Sequence, residues 1–279
     1  MARMEYPVST SRYVSWLTGK VEVDADVARK LACEDGGSGV VLLSFGKQVE
    51  GGTRSFEDAE TLFTYEYIQR IATAYAEGLA GCHEGPSTLV VATSNYRLYD
   101  TEAASEYGAA WRDMLTRLQG VDLDDVFMVG GIDLEPGWGG VAAAHAWVGA
   151  YNAGSVPLVA NASADGCPTS GTSGRCANGW SVLDLAAMVW GDGQGLALPQ
   201  IYRTDFVMAR QWGVLAKTWM KAGGTPRFAG IMTQVRACKY VGKAACENLN
   251  LEPVDALLAM REILGPEIQV PGATDVGWG

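Results

Sequence analysis

Asp133 and Glu135 stand two residues apart in the run Gly131-Ile132-Asp133-Leu134-Glu135, just ahead of Pro136-Gly137. On a strand, such residues project to the same side, about 6.6 Å apart along the backbone. Two carboxyls that close raise each other's pKa, so one keeps its proton near neutral pH. A protonated carboxyl can hand a proton to a leaving oxygen while a charged one stabilises a developing cation. That division of labour is what cleavage of a glycosidic bond requires. The structural alternative is a helix cap, or an ion pair with an arginine such as Arg203.

Other chemistries have less to work with. The chain has two histidines, His83 and His145, and no C-x-x-C pair, which argues against a zinc site. No serine sits in a G-x-S-x-G elbow, and neither histidine is placed to activate a cysteine. No metal or organic cofactor is expected. Trp138, three residues past Glu135, offers a flat ring for a sugar face, and Asp275 is a candidate third site carboxylate. Trp278 is placed to close the cleft or the barrel, and Asn161-Ala162-Ser163 matches a glycosylation sequon. Trp190, Trp212 and Trp219 fall at core-like helical positions and are expected to pack.

The elements that must position these residues follow from periodicity. Strand-length apolar runs are predicted at 12–16, 40–45, 88–93, 126–135, 157–161, 198–202, 228–232 and 268–270. Helical segments are predicted between them at 24–34, 55–79, 102–118, up to 151, 181–190, 206–221 and 253–264. Eight strands in strict alternation with helices predict one (β/α)8 TIM-like barrel domain over residues 1–279. An open doubly wound sheet is the alternative, and the absence of G-x-G-x-x-G after the first strand counts against a dinucleotide fold. Chemistry in such a barrel gathers at the carboxyl ends of strands, where Asp133 and Glu135 fall. Gly131 would leave space below them.

The barrel also orders the six cysteines. Cys33 and Cys82 end neighbouring helices, Cys167 and Cys176 share one loop, and Cys238 and Cys246 share another. Three local disulfides are predicted, the last two stapling loops at the top face, although six buried thiols in a reducing compartment would give the same count. Disulfides imply a secreted or extracytoplasmic location. The first seven residues lack the apolar run of a leader, so export would require one outside this chain. The net charge of −11 disfavours nucleic acid and anionic membranes, and no stretch of about 18 apolar residues suggests membrane insertion.

The run Gly131-Ile132-Asp133-Leu134-Glu135 resembles the D-x-E strand of family-25 lysozymes, which cleave bacterial peptidoglycan. It is also similar to the strand end of family-18 chitinases. Val41-Leu42-Leu43-Ser44-Phe45-Gly46 resembles the chitinase serine-glycine strand, and Pro199-Gln200-Ile201-Tyr202 its sixth strand. Where family-25 enzymes carry a strand-one aspartate, this chain offers Ser15 or Trp16. The resemblance implies a glycoside hydrolase acting on a β-linked N-acetylhexosamine polymer of a cell wall or chitin. Glu135 would be the general acid and Asp133 would orient the acetamido group. Tyr202 would hydrogen-bond that group and Gln200 would line the site. The alternative is a non-catalytic glycan-binding or structural surface protein on the same barrel.

Overall fold

A computed structural model describes residues 8–35, 39–121, 123, 125–191, 193–241 and 246–278. The chain begins with β1 (Val8–Tyr13), α1 (Val21–Asp35) and β2 (Gly39–Val49). A short hairpin follows, β3 (Gly52–Arg54) with β4 (Phe63–Thr64), leading into α2 (Tyr65–Cys82). Next come β5 (Ser87–Ser94), α3 (Thr101–Leu118), β6 (Val126–Leu134), α4 (Val141–Asn152) and β7 (Leu158–Ala162). The last third holds α5 (Val182–Trp190), β8 (Leu196–Ala197), α6 (Val207–Lys221), β9 (Ile231–Thr233), α7 (Val235–Val241), α8 (Pro253–Leu264) and β10 (Ala273–Trp278).

Eight strands pair in parallel in the order β8-β7-β6-β5-β2-β1-β10-β9. Two further parallel bridges, Ala197 with Phe228 and Gln200 with Met232, bring the ends of that row together. The result is an α/β structure with a nearly closed, barrel-like parallel sheet. Both faces of its strands are buried, as a parallel sheet covered by helices requires. Leu42, Val90, Ala92, Val159, Leu198, Met232 and Val276 form one cluster inside the ring. A larger layer lies between sheet and helices, where Trp111, Trp147, Trp180, Trp190 and Trp212 are fully buried. Trp219 packs at its edge, half-buried.

Several predicted boundaries move, each for a physical reason. The first strand is Val8–Tyr13, not 12–16. Its buried Ser9 and Ser11 disguise it in the sequence. Ser11 Oγ lies 2.6 Å from Thr274 Oγ1 and accepts from Leu42 N at 2.8 Å, so hydroxyls fill the ring here instead of aliphatic groups. The last strand is Ala273–Trp278, not 268–270, because Pro271 cannot donate and Val270 O is taken by Arg261. The second helix begins at Tyr65 rather than at 55. Ser55 Oγ accepts from Glu57 N and Asp58 N, and Asp58 Oδ1 from Glu60 N and Thr61 N. Such side-chain bonds compete with a helix, which starts only where Thr64 caps it. In the sixth strand, regular pairing ends at Ala197, and Pro199 interrupts the donors. The ladder still resumes, with Gln200 N bonding Ala162 O at 3.0 Å.

Three disulfides are present, Cys33–Cys82, Cys167–Cys176 and Cys238–Cys246. Cys238 sits in the short helix α7, where a loop was expected. Among the described residues, no helix is long and apolar enough to cross a membrane.

Candidate active site

The strands β5 and β6 run in register to Ser94 and Asp133, and the chain then leaves the sheet. Asn95 stands at that exit, fully buried. Its backbone N–H bonds Asp133 O at 3.0 Å, its side-chain Nδ2 donates to Glu135 O at 3.0 Å, and its Oδ1 accepts from Glu135 N at 3.0 Å. Asn95 thus acts as one more strand residue for Glu135 and fixes where its carboxyl starts. The two following loops are zipped together by Arg97 N to Trp138 O at 2.9 Å and Gly140 N to Leu98 O at 2.9 Å. Gly139 permits this approach, because a Cβ there would lie 2.7 Å from Asn95 O. Replacing Asn95 with Ala leaves the buried Glu135 N–H without its partner and its carbonyl with only the bond from Trp138 N, which costs about 1–3 kcal/mol. Chemical denaturation is expected to show that loss. An unchanged midpoint would show that Asn95 does not hold the Glu135 backbone.

Glu135 lies at the floor of a cleft of ≈ 810 Å³ and is 8 % exposed. Gln200, Tyr202, Trp138 and Tyr13 line the same cleft. Burial lifts the Glu135 carboxyl to about 9, reinforced by the charges of Asp133 and then Asp165. Asp133 is wholly buried behind it, outside the cleft lining, and burial holds its carboxyl well above the usual range. Gln200 Nε2 donates to Asp133 Oδ1 at 2.8 Å, a bond that favours the ionised form. The two carboxyls titrate together, so charging one keeps the proton on the other. Tyr13 and Tyr202 face each other at the floor, and burial keeps both phenols protonated.

The polar surroundings of Asp133 are incompletely satisfied. Its Oδ2, both side-chain polar atoms of Asn161 and Ser163 Oγ are buried without hydrogen-bond partners among the described residues. Asp133 and Asn161 are register partners on β6 and β7. Native proteins rarely leave such atoms unpaired, so this spot calls for water or a ligand group.

The cleft walls are aromatic. Phe56, Tyr96 and Trp138 meet edge to face, with centroids 5.5–5.7 Å apart. Of the residues expected at a site, Glu135, Gln200, Tyr202 and Trp138 come together. Asp133 stands directly behind them. Asp275 does not join them. It lies within β10 and accepts from Thr233 Oγ1 at 2.7 Å, Val235 N at 2.8 Å and Arg236 N at 3.0 Å, so it caps α7. Arg203 pairs with Asp205 at the surface, and none of the ion pairs among the described residues involves Asp133 or Glu135. Nor is space left below the pair, since Val90 and Ala92 fill the place a Gly131 side chain would take.

Sequence reasoning missed Tyr13, Asn95, Asp165, Phe56 and Tyr96. Tyr13 ends β1, so it holds the strand-one position for which Ser15 or Trp16 was expected. Asn95 follows a clear strand directly, and that was the available signal. Asp165 comes from the loop after β7, beside Gly137, and nothing in its spacing distinguishes it.

Chemically, the cleft offers a buried carboxyl that keeps its proton at neutral pH, two neutral phenols, an amide and an aromatic wall. Among the described residues, no group of three or more His, Cys, Asp or Glu side chains is arranged to hold a metal ion. No known family model matches this chain, and no curated protein matches it.

Proposed function

We propose that the protein is a glycoside hydrolase on a (β/α)8 barrel, acting on a β-linked N-acetylhexosamine polymer. The observation that carries this reading is Glu135, a carboxyl held protonated to about 9 at the floor of an aromatic-walled cleft. That is the state a general acid needs at neutral pH.

In this reading a sugar ring lies against Trp138, and the Glu135 carboxyl donates its proton to the glycosidic oxygen. The acetamido carbonyl oxygen of the same sugar attacks the anomeric carbon as the bond to the leaving sugar breaks. Tyr202 and Gln200 hold the acetamido group. Asp133 acts through Gln200, which it orients at 2.8 Å. Water then opens the cyclic intermediate, giving its proton back to the Glu135 carboxylate, so the enzyme ends as it began. Three disulfides suit work in an oxidising, extracytoplasmic compartment. The bridges at Cys167–Cys176 and Cys238–Cys246 would each contribute roughly 2–3 kcal/mol in the chain-entropy model.

The complete burial of Asp133 favours a second reading, a glycan-binding protein without turnover, because the carboxyl paired with Glu135 does not open onto the cleft. Release of new reducing ends from peptidoglycan and from chitin separates the two. Cleavage of either supports the hydrolase. Binding without any reducing-end release, across pH 4–9, overturns it.

A further inference from the structure

The charge of the cleft runs against that of the molecule. The chain carries −11, yet the ionisable groups lining the cleft are Lys47, Arg54 and Arg97 against Glu50 and Glu135. With Glu135 protonated, three cations face one anion.

Two of these cations are placed at an electrostatic cost. Lys47 on β2 and Arg54 on β3 are direct cross-strand partners in the antiparallel hairpin. Like charges directly opposite destabilise a sheet. Neither takes part in an ion pair with a carboxylate among the described residues. Arg54 donates through Nη1 to Ala59 O, while its Nε is buried with no partner. The third cation, Arg97, lies three residues past Ser94, the register partner of Lys47 on the neighbouring strand β5. Its backbone takes the left-handed conformation at φ 56°, rare for an arginine, and is held there by the bond to Trp138 O. Its guanidinium lies over the Tyr96 ring, 5.2 Å from the centroid. A strained backbone that places a charge beside an aromatic wall points to a ligand.

We infer that the cleft selects a glycan that bears carboxylates. Lys47, Arg54 and Arg97 neutralise the acid groups of sugars whose faces lie against Phe56, Tyr96 and Trp138. The inference rests on the glycan reading of this cleft and narrows it from N-acetylhexosamine polymers in general to acidic ones. A bound carboxylate relieves the repulsion between Lys47 and Arg54, so these charges stabilise the complex more than they stabilise the free protein.

The test uses two probes on the same glycan backbone, one anionic and one neutral, and the salt series isolates the contribution of the charge. One is peptide-free peptidoglycan glycan strands with free lactyl carboxylates, and the other is the same strands with those groups converted to methylamides. The wild-type protein is expected to bind the free-acid strands about tenfold more tightly at low salt. At 0.5 M salt the preference falls to about twofold or less, because exposed ion pairs are screened. In the double variant Lys47→Glu/Arg97→Glu the preference is lost or reversed. The salt series on the wild-type protein tests the same electrostatic preference without relying on the variant's folding. Equal binding of both strands at every salt concentration overturns the inference and leaves the glycan reading standing. Binding of neither strand by folded wild-type protein removes the glycan reading, and this inference with it.

Discussion

Glu135→Gln is expected to lower glycan cleavage by about 10²–10⁴-fold, the usual contribution of a general acid. The same substitution is expected to stabilise the fold at alkaline pH. The sign follows from the titration. Burial raises the folded-state value from 4.5 to about 9. A raised carboxyl binds its proton more tightly when folded, so stability is full below about 4.5 and falls as pH climbs through about 9. Glutamine keeps the shape and cannot ionise, so it removes that slope. The pH dependence of thermal unfolding should therefore become shallower between 5 and 9, with the buried Asp133 still contributing a slope, and the variant should melt about 5 °C above wild type at pH 8. Wild-type cleavage should also fail as pH approaches 9, where the acid loses its proton. Cleavage at the wild-type rate in Glu135→Gln would remove Glu135 as the acid. An unchanged stability slope would remove the buried, protonated carboxyl.

Gly131→Val is expected to destabilise the protein by about 3 kcal/mol or more, near the upper end for overpacking a core. A Cβ at 131 would lie 2.5 Å from Val90 Cγ1 and 2.7 Å from Ala92 Cβ, both inside the ring on the neighbouring strand. Valine adds two further methyl groups there. β5 and β6 would have to part, and that junction sets Asp133 against Ser94 and brings Asn95 to Glu135. Urea unfolding measures the loss. Gly149→Ala is the control, because a Cβ there meets nothing within 4 Å and lies on the helix α4. It should be neutral or slightly stabilising. Similar midpoints for the two variants would show that the tight packing at Gly131 is not what holds this junction.

Much of this arrangement was legible in the sequence, for identifiable reasons. The aliphatic strands β2, β5 and β6 follow from their apolar runs, and α8 begins at Pro253 as expected. The cysteine pairs followed once helices and loops had been ordered around strands. β1 and β10 were harder, because their inward positions hold Ser9, Ser11 and Thr274: the Ser11 and Thr274 hydroxyls bond each other, and the Ser9 hydroxyl donates to Val40 O. A polar residue that finds its partner in a distant strand looks like a loop residue until the partner is known.

The site divides along the same line. Glu135, Gln200, Tyr202 and Trp138 follow strands or short motifs, so their location could be read locally. Tyr13 depended on a strand whose boundary was misplaced. Phe56 falls in a segment of helical period, but the turns at Ser55 and Asp58 prevent a helix there. Asp275 looked like a free carboxylate because nothing in its neighbourhood reveals that the start of α7 would consume both of its oxygens. The cross-strand pairing of Lys47 with Arg54 required the hairpin register, which a three-residue strand such as β3 hardly signals.

The ring is joined unequally around its circumference. Long ladders link β2, β5 and β6, the first with a register shift between Ser44 and Lys47, while bridges from Ala197 to Phe228 and from Gln200 to Met232 close the ring. Gln200 and Tyr202 therefore sit at the closing seam, where backbone bonds of 2.7–2.9 Å join Ala197 to Arg227 and Ala229 and join Pro199 and Ile201 to Met232, while Glu135 follows one of the longest ladders. In mechanical terms the cleft has one jaw braced by a long ladder, under Glu135, and one closed by a short seam, under Gln200 and Tyr202.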